Sequence, residues 1–266
     1  MIARAPTGDV FVPDAIRELA AGRAMQPVWE NHSGGLTFDI GDDADRVFVK
    51  WAPANSPVDL GREIVRLDWA AAYTPVPRFL GGGGDQQGTW MVTAPLVGES
   101  AVSERWKADP ARAVAAIGHG LRALHDALPA DECPFSWSAE QRVRAAQQRA
   151  KAGLQDPSRW FEPHTTMTLA HALDLIADIP PVDRLVVCQG DACAPNTLIA
   201  DDGTWSGHVD VGSLGVGDRW ADIAVATWST QWNYGPGWED TLLGAYGVER
   251  DEGRIAYYRL LWDMGP

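Results

Sequence analysis

Near Pro95 the hydrophobic pattern changes, and this change limits the possible folds more than any other feature. Before it, short apolar runs at 27–30, 36–40 and 46–51 are separated by Ser33-Gly34-Gly35 and Gly41-Asp42-Asp43. Runs of this length bounded by turn residues read as strands joined by hairpin turns. Residues 60–71 place Ile64, Leu67, Asp68 and Ala71 on one helical face, and 90–94 is a further apolar strand. Pro75, Pro77 and the glycines 81–84 read as breakers between them. From Asp109 the period becomes helical. Val114, Ile117, Leu121, Leu124 and Leu128 recur at helix spacing over 110–128, and 142–155, 166–177 and 254–261 are further helical stretches. Short strands are expected at 185–188, 197–200 and 206–211. The expected fold is α+β, with a small β-rich lobe at 1–95 and a larger, mainly helical lobe at 96–266. Clefts between such lobes often hold nucleotides.

Charge narrows the partners. The formal net charge is −14. Binding to nucleic acid needs a basic face for phosphate, so no nucleic-acid partner is expected. An acidic surface suits a cationic ligand, and serves equally to keep a chain in solution. Three cysteines, Cys133, Cys188 and Cys193, form no CxxC pair, which argues against a disulfide framework or a structural zinc site. Met1 to Asp9 shows no basic-then-apolar leader, and no uncharged apolar run reaches the ~18 residues a spanning helix needs. A cytoplasmic location without membrane contact is expected. No feature sets an oligomeric state.

Chemistry concentrates between Cys188 and Thr227. Asp191 and Asn196 lie in a loop after a strand, and Asp210 ends another strand before Val211-Gly212. Phosphoryl transfer needs a carboxylate to orient a hydroxyl and accept its proton, together with oxygen ligands for a magnesium ion. An Asp/Asn/Asp set on loops supplies these parts. Taken singly, each residue is also an ordinary turn former.

The run Gln189-Gly190-Asp191-Ala192-Cys193-Ala194-Pro195-Asn196 resembles the HGDxCxPN loop of the aminoglycoside phosphotransferases. Residues 209–224 resemble that family's IDxGxLGxxDRxxDIA segment, and 254–261 the last helix of its 3′-type neomycin and kanamycin kinases. The streptomycin 3″-kinases are similar too. The resemblance implies a protein-kinase-like two-lobe fold using ATP and Mg²⁺. It implies Asp191 as catalytic base, Asn196 and Asp210 as metal ligands, and Asp218 and Asp222 as braces. Gln189 stands where the family has a loop-organising His, and glutamine also donates and accepts hydrogen bonds.

The match extends over 47–70, where Lys50 ends an apolar strand and Glu63 follows thirteen residues later on a helix. In kinase-like folds such a pair holds the nucleotide phosphates. Ser33 and Gly34 suit a nucleotide-covering loop or a plain hairpin turn. Thr93 and Ala94 sit where a backbone would meet adenine. His125 reads as a packed or capping helix residue. The implied acceptor is a polycationic aminoglycoside, for which Asp156, Glu162, Glu239, Asp240 and Asp263 are candidate carboxylates, each also readable as a solvated surface acid. The 3′-type kinases end in an acidic, aromatic tail, whereas this chain ends Trp262-Asp263-Met264-Gly265-Pro266. Trp228, Trp232, Tyr234 and Trp238 suit an aromatic wall for sugar rings or cations. Two other readings stay open: a metabolic kinase for a sugar or amino alcohol, and a non-catalytic ligand-binding pseudokinase.

Overall fold

The computed structural model describes residues 6, 8, 10–31 and 33–265. Of the stretch read for a leader, Met1 to Ala5, Thr7 and Asp9 lie outside the described residues, as do His32 and Pro266. The chain divides into two compact units, Met1–Leu96 and Val97–Pro266.

The first unit holds α1 (Asp14–Ala20), β1 (Met25–Glu30), β2 (Leu36–Ile40), β3 (Val47–Pro53), α2 (Leu60–Ala70), β4 (Phe79–Gly84) and β5 (Gly88–Thr93). Its antiparallel sheet runs β1-β2-β3-β5-β4. Phe38 lies opposite Val49 and Lys50 opposite Met91. Phe38, Ile40, Val49 and Trp51 close over Ile16 and Ala20 of α1 to form the core. Helix α1 has seven residues, too few for an apolar period to reveal it, and the sequence reading missed it. That reading also took 81–84 as a break, yet these glycines form most of β4. A Cβ on Gly83 would lie 2.6 Å from the Trp90 ring, so the bare backbone lets that indole lie against the strand. Asp59 caps α2 by accepting from Arg62 N at 3.1 Å.

The second unit carries β6 (Glu99–Ser100), α3 (Glu104–Lys107), α4 (Pro110–Ala127), α5 (Ala139–Lys151), α6 (Leu169–Ala177), β7 (Leu185–Cys188), β8 (Thr197–Ile199), β9 (Trp205–His208), β10 (Gly215–Asp218), α7 (Trp220–Tyr234), α8 (Glu239–Tyr246) and α9 (Glu252–Asp263). Helix α4 follows the expected period, with Asp109 as cap and Pro110 in its first turn. Helix α5 begins earlier than the expected 142 because Ser138 accepts from Gln141 N, and it ends before Gly153, whose φ is 68°. Helix α7 is buried continuously from Trp220 to Thr230. A helix buried all round has no polar stripe, so periodicity does not mark it. Two small antiparallel ladders, β7 with β10 and β6-β8-β9, emerge from this helical body. Among the described residues no helix is long and apolar enough to cross a membrane.

Candidate active site

In the second unit, the loop from Gln189 to Asn196 links β7 to β8. Its first turn is fixed from below by Asp222 of α7. One Asp222 oxygen accepts from Gln189 N at 2.6 Å and the other from Gly190 N at 2.9 Å. His125 Nε2 donates to the same carboxylate at 2.9 Å, while its Nδ1 hydrogen-bonds with the Tyr246 hydroxyl at 2.8 Å. His125, Cys188 and Asp222 bring donor atoms within 4.8 Å of one another in a buried cluster. The imidazole and the carboxylate are already engaged by these bonds, so the cluster acts as a brace under the loop. Gly190 has φ 88°, and a Cβ there would lie 2.3 Å from the Ser213 carbonyl oxygen. No other residue fits that approach.

Gln189 is fully buried. Its Nε2 donates to the carbonyls of Val209 and Asp210, both at 3.0 Å, and its Oε1 accepts from Asp191 N at 2.6 Å. One side chain therefore ties the Asp191 loop to the Asp210 segment. Asp210 follows β9 with φ 56°, a strained value for a residue with a side chain. Asp218 accepts from Trp220 N, Asp183 N and Arg254, and so fixes the entry to α7.

The Asp191 carboxylate accepts from Cys193 Sγ at 3.0 Å and from Asn196 Nδ2 at 3.2 Å. Burial, then the nearby Asp210 carboxylate, raise Asp191 above the ordinary carboxylate range. Asn196 Nδ2 also donates to the Asp191 carbonyl at 2.8 Å, so its Oδ1 is the atom left for a metal. Hard oxygens from Asn196 and Asp210, with two acids close enough to repel, form a donor set that suits Mg²⁺.

In the first unit, Lys50 Nζ of β3 meets Glu63 Oε2 of α2 at 2.6 Å, with both side chains mostly buried. Ser33 and Gly34 lie in the turn between β1 and β2. Asn31 Oδ1 accepts from the amides of Ser33 and Gly35, and Asn31 O from Gly34 N at 3.2 Å. Thr93 ends β5, and Ala94 N donates to Arg78 O at 2.9 Å.

The acidic candidates divide. Glu239 is held by Arg259 and Arg250, which keep it below the ordinary carboxylate range against the opposing effect of burial. Asp240 pairs with Arg250 at 2.8 Å. Asp263 is buried against His164 Nδ1 at 2.6 Å. Among the described residues, Asp156 and Glu162 take only hydroxyl and amide partners, from Ser158 and Thr165. Trp228 and Trp232 do form an aromatic group, but with Phe161 and Trp262. Phe161 stacks on Trp232 at 4.5 Å, and Trp262 lies 5.6 Å from Trp232. Tyr234 donates its hydroxyl to Ala101 O, and Trp238 packs on the helical core. The sequence reading missed Phe161 and Trp262, which come from remote segments; the signal available was Trp262 adjoining Asp263 in the tail.

Residues 27–258 match the model of the phosphotransferase enzyme family. The chain belongs to that family. This phosphotransferase is 36% identical over 220 residues to an aminoglycoside 3′-phosphotransferase of Streptomyces fradiae, covering 79% of this chain and 81% of the relative. Its structure is similar to that of an aminoglycoside-3′-phosphotransferase of type VIII, with TM-score 0.78, 30% identity, and coverage of 94% and 98% of the two chains. A further structural relative is the aminoglycoside phosphotransferase APH(3″)-Id of Streptomyces rimosus, solved with ADP and streptomycin. It has TM-score 0.71 and 22% identity, covering 95% of this chain and 99% of that one, and likens the fold.

Proposed function

We propose that this phosphotransferase moves the γ-phosphoryl group of ATP to a 3′- or 3″-hydroxyl of an aminoglycoside and so confers resistance to it. The observation that carries this reading is the loop after β7. Asp191 is held there by Cys193 and Asn196, with Asp210 close enough to repel it. Asp191 accepts the proton of the acceptor hydroxyl as its oxygen bonds phosphorus, and the bond from phosphorus to the β–γ bridging oxygen breaks to release ADP. Asn196 and Asp210 hold Mg²⁺, which supplies charge neutralisation on the phosphate oxygens. Lys50, fixed by Glu63, holds nucleotide phosphates.

On the acceptor side, Asp156 and Glu162 are the two of the five candidate acids with no Arg, Lys or His partner among the described residues, so they take substrate ammonium groups. Glu239 and Asp240 hold Arg250, between α8 and α9, and Glu239 also holds Arg259 of α9. Phe161, Trp232 and Trp262 offer ring faces to a sugar. The test is ADP release from Mg-ATP with kanamycin, neomycin, streptomycin, simple sugars and amino alcohols. Turnover confined to the aminoglycosides supports the reading. Turnover confined to sugars or amino alcohols replaces it with a metabolic kinase, and no turnover by a folded protein replaces it with a binding role.

A further inference from the structure

Among the described residues the Asp191 carboxylate receives one donor on each oxygen, and one of the two is a thiol. Cys193 Sγ donates to Oδ1 at 3.0 Å, and Asn196 Nδ2 to Oδ2 at 3.2 Å. We infer that Cys193 is a positioning residue for the general base: its thiol fixes the plane in which Asp191 presents its remaining lone pairs to the acceptor hydroxyl. The inference rests on the reading of Asp191 as the base. A carboxylate offers roughly four acceptor positions. The two donors take one on each oxygen and leave the others for a reacting hydroxyl. Rotation of the carboxylate would break both bonds. A thiolate at this distance would repel the carboxylate, so the sulfur keeps its proton and donates it. A thiol is a weak donor. It orients the carboxylate while withdrawing little of the electron density that the base must offer to a proton.

The sulfur is itself placed by the loop backbone. Cys193 N donates to Asp191 O at 2.7 Å, and Cys193 O accepts from Asn196 N at 2.9 Å. This tight turn brings the side chain at 193 back onto the carboxylate two residues earlier. The next residue is docked on α7: Ala194 N donates to Ser229 Oγ at 2.9 Å, and Asn233 Nδ2 donates to the same oxygen at 3.1 Å. From the other side, Ser100 Oγ of β6 donates to Pro195 O at 2.9 Å. The thiol therefore stands on a segment fixed to both α7 and β6. The other two cysteines are engaged differently. Cys133 Sγ donates to Phe135 O at 3.7 Å and Cys188 Sγ to Asp218 O at 3.4 Å, both backbone carbonyls. For a reaction limited by placement, an orienting donor acts on turnover rather than on nucleotide affinity.

Cys193→Ala removes the donor, whereas Cys193→Ser also shrinks the side chain but keeps an O–H. The acceptor is whichever of kanamycin, neomycin and streptomycin is turned over fastest. A folded Cys193→Ala variant should lose about tenfold in kcat while KM for Mg-ATP stays unchanged. Cys193→Ser should stay within about threefold of wild type, because a hydroxyl donates in place of the thiol. Equal losses in the two variants would assign the effect to lost volume, and unchanged kcat in Cys193→Ala would remove the effect; either result overturns the inference. A second measurement needs no turnover. The S–H stretch lies in an infrared window free of other protein bands, and a hydrogen bond lowers its frequency. The Cys193 band is the one absent from Cys193→Ala among three cysteines. Asp191→Ala should raise its frequency and leave the bands of Cys133 and Cys188 in place. A band that does not move shows that the thiol does not bond the carboxylate, and the inference fails alone. Full activity in Asp191→Ala together with a moved band instead removes the reading of Asp191 as the base, and the inference falls with that reading.

Discussion

The loop around Asp191 and the acidic surface around Glu239 use carboxylates in opposite ways. Asp191 sits half-buried beside another acid, and both burial and that acid push its pKa up. Glu239 is also largely buried, yet Arg259 and Arg250 pull its pKa down. The first arrangement destabilises the ionised protein and is relieved when a cation or a proton arrives. The second is complete as it stands. A carboxylate's neighbours therefore tell more than its position in the chain: an acid pressed against another acid in a braced loop is stabilised by a cation or a proton, and acids clamped by arginine hold helices together.

The strongest way to break this comparison is to remove the uncompensated acid. Asp191→Ala should lower kcat on the order of 10³-fold and leave Mg-ATP binding intact. Steady-state ADP release with parallel calorimetry checks both halves, and turnover within a few fold of wild type would remove the base assignment. Next in size is the metal side. Asp210→Ala should weaken Mg-ATP binding by more than tenfold, about 1.4 kcal/mol or more, because it removes a charged oxygen ligand. Asn196→Ala should weaken it less, and equal affinity in both variants would place the metal elsewhere.

Stability sharpens the contrast further, because the two acids predict opposite signs. Asp191→Asn should raise the melting temperature at neutral pH, since it removes a buried charge that lies beside Asp210. Glu239→Gln should lower it, with stability falling by about 1–3 kcal/mol, since the change breaks charge-assisted bonds to two arginines. The folded pKa of Glu239 is depressed, so its contribution is present above the unfolded value and fades as pH falls through the folded one. The gap between wild type and Glu239→Gln should accordingly close at low pH. Melting curves at neutral and acidic pH decide this, and a gap that widens on acidification would contradict the assignment.

The smallest effect is expected at Gln189. Its amide spans three backbone groups, donating to Val209 O and Asp210 O and accepting from Asp191 N. A neutral histidine can donate from one ring nitrogen and accept at the other. Gln189→His should keep kcat within a few fold of wild type or raise it. A folded variant without activity would show that the glutamine does something that the ring nitrogens do not reproduce.

The sequence by itself determined the change from strands to helices near Pro95 and singled out Asp191, Asn196 and Asp210 as candidates. The short apolar runs before Pro95, the helical period of α4 and the spacing of Asp191, Asn196 and Asp210 are local properties, and local physics reads them directly. Helix α7 escaped because a helix buried on every side has no amphipathic stripe. Strand β4 escaped because its glycines match a turn as well as they match a sheet edge lying against Trp90. Tertiary structure alone decided which charges are spent. Glu239 and Asp240 look like Asp156 and Glu162 in a string of letters. Folding delivers Arg250 and Arg259 to the first two and only hydroxyls and amides to the others. It likewise brought Phe161, Trp232 and Trp262 together. Compensation of charge and convergence of rings depend on distances across the fold, and spacing along the chain does not carry them.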